Sequence, residues 1–95
     1  MNFDENFLQE MGLSSMPENQ KQSFLDYVEE QLEIRIGERI SRGLTETQLA
    51  EFDSIAEQSE ATKWLEKNRP DYREIVTRTI EEMKNEIRAN QSRLL

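Results

Sequence analysis

Asp26, Glu29, Glu30 and Glu33 are the side chains of this 95-residue chain whose spacing most directly suggests chemistry. Intervals of three, four and seven place all four carboxylates along one side of a helix, as a continuous acidic ridge. Three readings follow. The ordinary one is a solvated face, partly neutralised on folding by Lys63, Lys67, Arg69 or Arg73. The second is a landing site for a basic partner, which such a surface steers and holds. The third is a hard-cation site, but helical two-metal sites usually add histidines from the same bundle, and this chain contains no His. Neither a metal nor any other cofactor is expected.

Tyr27 and Ile34 interleave with the ridge and lie seven residues apart, so they share a face of the same helix. Either an N-terminal helix covers them through Phe3, Phe7 and Leu8, or they form an exposed patch of the kind that marks a partner surface. Trp64, the single tryptophan, reads as a core anchor rather than a ligand platform. The absence of Cys and His removes disulfides, thiolate metal sites, the cysteine nucleophile and the commonest general base. No remaining Ser, Lys or Tyr sits in a nucleophile elbow, a Gly-rich loop or a paired-base arrangement, so catalysis is not expected. A helix-turn-helix over residues 46–68 is opposed by electrostatics. Residues 46–60 carry five acids and no base, whereas duplex binding needs cations at phosphates.

Composition decides whether these residues are held in place at all. The chain has 20 acids against 12 bases, a formal charge of -8 and 35% apolar residues. Leu, Ile, Val and Phe make up 22 of the 95 residues, just above the level of roughly 20% below which charged chains stay disordered. Gly and Pro are scarce and no strand-like alternation appears, so the pattern predicts a folded, all-α chain.

Helix punctuation brackets four to five helices. The first runs over about residues 4–11 and stops at Gly12. A capping box from Ser15 and Glu18 opens a long helix over 17–42, closed by Gly43. A second box, Thr45 with Gln48, starts a helix to about residue 58, and Ser59 caps a shorter one over 60–68. Pro70 resets the chain before a long helix to about residue 90. In that last helix Tyr72, Ile75, Val76, Thr79, Ile80, Met83 and Ile87 form one stripe. In the helix over 17–42, Phe24, Leu25, Val28, Leu32, Ile36 and Ile40 form the main stripe.

The expected architecture is a small helical bundle: two long antiparallel helices with a short helical hairpin between them. Residues 1–13 form an N-terminal helix or arm, 14–90 the bundle and 91–95 a frayed end. Charge divides the chain, with a net of -10 over residues 1–60 and +2 over 61–95. The opening Met1 to Glu5 is acidic where a signal peptide needs a positive region, and no apolar run exceeds two residues. A cytoplasmic protein without a membrane span is expected.

The stretch Gly43-Leu44-Thr45-Glu46-Thr47-Gln48-Leu49-Ala50-Glu51-Phe52 resembles a family pattern, as does Trp64-Leu65-Glu66-Lys67-Asn68-Arg69-Pro70-Asp71-Tyr72. With the helix opening Met16-Pro17-Glu18, they resemble an uncharacterised family of short all-helical proteins from small-genome candidate-phylum bacteria, a domain of unknown function. The resemblance covers roughly residues 13–90 and implies an independent helical domain in a bacterial cytoplasm. It implies no activity, because the shared motifs are caps and packing positions.

The functional expectation is a non-enzymatic protein-protein interaction module, possible also as a homodimer. Its partner surface is Tyr27 and Ile34, flanked by Asp26, Glu29, Glu30 and Glu33. The alternative is an acidic inhibitor or nucleic-acid mimic that occupies a basic groove of a partner. No direct nucleic-acid or membrane binding is expected.

Overall fold

The computed structural model describes residues 3–95; Met1 and Asn2, the first two residues of the N-terminal arm, lie outside it. Six helices and no strand occur among the described residues: α1 (Glu5–Glu10), α2 (Glu18–Ser41), α3 (Glu46–Asp53), α4 (Gln58–Asn68), α5 (Tyr72–Ala89) and α6 (Gln91–Leu94). The fold is all-α, and α2 and α5 are its long pair.

At the N-terminus, Asp4 caps α1 by accepting hydrogen bonds from the Asn6 and Phe7 amides at 3.1 and 3.3 Å. Gly12 ends it in the left-handed region at φ 73°. The Leu13 amide donates to the Leu8 carbonyl at 2.7 Å and the Gly12 amide to that of Gln9 at 3.0 Å. This is the Schellman arrangement, with its hydrophobic pair supplied by Leu8 and Leu13. Both are wholly buried.

The chain then runs through Leu13 and Met16, both buried, into α2. The expected Ser15–Glu18 box does not form. Pro17 is the flanking residue, extended at ψ 139° and without a side-chain cap. Burial of Met16 carries the chain inward just where Ser15 would have had to begin the helix, and the proline delays helical geometry to Glu18. The Thr45 box is present in full: Thr45 Oγ1 accepts from the Gln48 amide at 3.1 Å, and Gln48 Oε1 from the Thr45 amide at 3.0 Å. α3 ends at Asp53, short of residue 58, and α4 begins after Glu57 rather than Ser59.

α2 and α5 run antiparallel: Arg35 reaches Glu86, while Arg39, one turn further along α2, reaches back to Glu82 and Thr79. The core lies on the α1 side of this pair. Phe7, Leu8, Met11, Leu13 and Met16 are buried together with Leu25, Val28 and Leu32 of α2 and Met83 and Ile87 of α5. The first helix therefore does not cover Tyr27 and Ile34. It fills the gap between the long helices, where it buries apolar surface against both of them at once. Glu5 pairs with Lys21 at 3.1 Å and Glu10 with Lys84 at 3.0 Å, fixing α1 to α2 and α5.

The hairpin α3–α4 is held more lightly. Trp64 stacks on Phe52 with ring centroids 5.2 Å apart and donates from Nε1 to Glu51 at 3.1 Å. The molecule measures 46 × 23 × 18 Å with a radius of gyration of 15.7 Å, against about 12 Å for a globular chain of this length. It is a rod.

Candidate functional site

On a wheel of α2 the core stripe and the face carrying Tyr27 and Ile34 point in opposing directions, because 100° per residue places positions 27 and 34 about 140–160° from Leu32. The structure leaves both exposed, Tyr27 by 58% and Ile34 by 53%. Asp26, Glu29, Glu30 and Glu33 are exposed beside them. None of the four makes an ion pair among the described residues. Asp26 accepts a hydrogen bond from Gln22 Nε2 at 2.8 Å.

The expected internal neutralisation does not occur. Arg69 turns to Asp71, Arg73 pairs with Glu66 at 2.8 Å, and Lys63 and Lys67 pair with no acid among the described residues.

Apolar surface flanks the ridge on both sides. On one side are Tyr27 and Ile34. On the other, Glu29 and Glu33 rim a groove of about 280 Å³ whose walls include Phe3, Ile36, Val76 and Ile80. Tyr27 also stands at the lip of a crevice of about 260 Å³ lined by Phe24, Met83, Ile87 and Leu94. No group of three acidic side chains converges as a cation site among the described residues. The arrangement is suited to contact: apolar anchors beside carboxylates that make no ion pair among the described residues.

Arg35 borders this face. Its guanidinium grips Glu86 through both terminal nitrogens, Nη2 to Oε1 at 3.1 Å. That hydrogen bond raises the Arg35 pKa and holds the Glu86 carboxyl below its ordinary value. Arg35 is therefore committed within the chain and does not cancel the ridge.

A second concentration of charge was not legible in the sequence. Arg39 of α2, Arg42 at its C-terminal cap, Arg69 of the α4–α5 junction and Arg78 of α5 line one cleft of about 380 Å³, with Asp71 and Glu82. The sequence signal was slight: Arg39 and Arg42 are three apart, but Arg69 and Arg78 reach them only through the fold. Gly43 follows the end of α2, as expected, without entering the left-handed region; Gly12 is the glycine that does. A Cβ at Gly43 would stand 2.2 Å from Arg69 Nη1. The glycine admits the Arg69 guanidinium against the backbone.

No helix of the described residues is long and apolar enough to cross a membrane. A family model described as a protein of unknown function (DUF5663) matches residues 7–87. No curated protein and no solved structure matches the chain.

Proposed function

The chain belongs to this family of proteins of unknown function (DUF5663), and from its geometry we propose that it is a non-enzymatic interaction module of the bacterial cytoplasm. Its outer α2 face takes a basic, amphipathic helical segment of a partner protein. One observation carries this reading: Tyr27 and Ile34 stand exposed among four carboxylates that have no ion-pair partner within the described chain.

The occupant follows from shape and charge. Tyr27 and Ile34 lie seven residues apart with Gly37 one turn beyond, so a second helix laid along this face would meet two apolar side chains and then bare backbone. A Cβ at Gly37 would meet nothing within 4 Å, so no internal crowding requires glycine there, although glycine weakens a helix interior by about 0.5–1 kcal/mol. A close-packed visiting helix would use that space. A symmetric homodimer through this face is disfavoured, because a two-fold axis sets the same patch on both subunits and so opposes acidic ridge to acidic ridge.

A photo-crosslinking residue at position 34, used in the native cell, tests the reading. Cross-links to a Lys- or Arg-rich amphipathic helix are expected, weakened by salt and lost in the Tyr27→Ser/Ile34→Ser variant. Capture that depends on Asp26, Glu29, Glu30 and Glu33 but ignores the loss of both apolar side chains would replace this reading with the nucleic-acid mimic. Cross-links only to a second copy of the chain, or to nothing, would remove it.

A further inference from the structure

Four guanidinium groups on a chain of net charge -8 converge where the last turn of α2, the α4–α5 junction and the first half of α5 meet. We infer that this cleft is an oxyanion site for a phosphorylated small molecule, with the phosphate seated between Arg39 and Arg69 and covered by Arg42 and Arg78.

The four arginines divide into two fixed and two free. Arg39 is held by Glu82 at 2.6 Å and donates to Oγ1 of the fully buried Thr79 at 2.9 Å. The Arg69 guanidinium lies against Gly43, with a side chain only 23% exposed. Its Nε is buried without a hydrogen-bond partner, the sole such side-chain atom among the described residues, and the Asp71 carboxylate stands 3.5 Å away. Nε thus faces Asp71 within the chain, whereas the two terminal nitrogens make no hydrogen bond within the described residues and keep their donors for a ligand.

Arg42 and Arg78 have side chains 69% and 71% exposed, and each is tied only to an acid one turn back, Glu38 and Glu74. Exposed pairs of that spacing are weak and exchange readily, leaving both side chains free to swing over a ligand. Four arginines and two carboxylates line the cleft, and the acids paired with Arg42 and Arg78, Glu38 and Glu74, stand outside that lining. A phosphate dianion that draws both arginines off those acids meets two positive charges that Asp71 and Glu82 do not balance. Planar guanidiniums also match phosphate oxygens in bidentate geometry. The volume of about 380 Å³ suits a small molecule, and Ile75 supplies an apolar wall for its uncharged part.

Titration of the full chain with glucose 6-phosphate, inorganic phosphate and acetate, followed by NMR at the arginine Nε–H signals, tests the site. Saturable shifts at Arg39, Arg42, Arg69 and Arg78 are expected for both phosphates and none for acetate. Tighter binding of the sugar phosphate identifies an organic ligand; equal binding assigns the site to free phosphate. Gly43→Ala removes no charge but displaces the Arg69 guanidinium, and like Arg69→Gln it should weaken binding by about tenfold, the loss of one charge-assisted hydrogen bond. If either variant unfolds, the other carries the comparison. Shifts spread equally over Arg73 and Arg88, which lie outside the cleft, no saturation, or undiminished binding in a folded variant would overturn the assignment.

Discussion

Where α1 folds across α2 and α5, Phe7, Leu8, Met11, Leu13 and Met16 are buried against both long helices, whereas at the opposite end α3 has no fully buried residue and α4 has only Leu65. The first end is held by close-packed aliphatic and aromatic side chains. The second is held by one aromatic stack, a capping box and ion pairs that face water. Stability is thus concentrated at one end, and the hairpin end is the part of the chain free to open locally. The arginine cleft borders that looser end, beside residues whose movement costs little.

The strongest way to break this contrast is Leu8→Ala. Leu8 is wholly buried, and its truncation is expected to cost about 2–5 kcal/mol in chemical denaturation. A loss below about 1 kcal/mol would mean that the arm is not integral to the core. Next in size, Phe52→Ala is expected to cost about 1–2 kcal/mol and to red-shift the emission of Trp64, the only tryptophan. Hydrogen exchange sharpens the same point: amides of α3 and α4 should exchange through local opening, well before those around Val28 and Met83. Equal protection at both ends would abolish the distinction.

The smallest expected effect concerns acid. The Glu86 carboxyl lies below its ordinary value because Arg35 donates to it. A depressed carboxylate stabilises the fold above its unfolded pKa, and that contribution is lost as the pH falls through the lower, folded value. Arg35 stays charged throughout. Glu86 is 53% exposed, so solvent screens the pair and the effect is small. Glu86→Gln should destabilise slightly at neutral pH and narrow the gap from wild type as the pH drops below about 4.5. An unchanged gap between pH 7 and pH 3 would assign the acid sensitivity elsewhere.

The long stripes were legible because each helix buries one continuous side. Leu25, Val28, Leu32 and Ile40 of α2, and Thr79, Met83 and Ile87 of α5, are buried where the three-and-four spacing placed them. The Thr45–Gln48 box and the Gly12 stop were legible because their hydrogen bonds are local. The docking of α1 was not, since periodicity tells which side is apolar and not which apolar neighbour wins. Tyr27 and Ile34 offered one surface; the space between α2 and α5 offered two, and it prevailed. Of the candidate site, the exposed ridge could be read from helical spacing alone. Arg69 and Gly43 could not, because a contact across 26 residues of chain has no periodic signature.

The amide of Gln91 donates to the Gly12 carbonyl at 2.9 Å, while Glu10 meets Lys84 and Arg88. Residues 10–12 and 84–91 are therefore tied to one another. During synthesis α1 can meet α2 early, but its other side stays uncovered until residues 83–91 have left the ribosome, because contacts this distant in sequence form only after the intervening loop is complete. A stalled or clipped chain would display Phe7, Leu8 and Met11 to whatever protease or chaperone patrols nascent proteins.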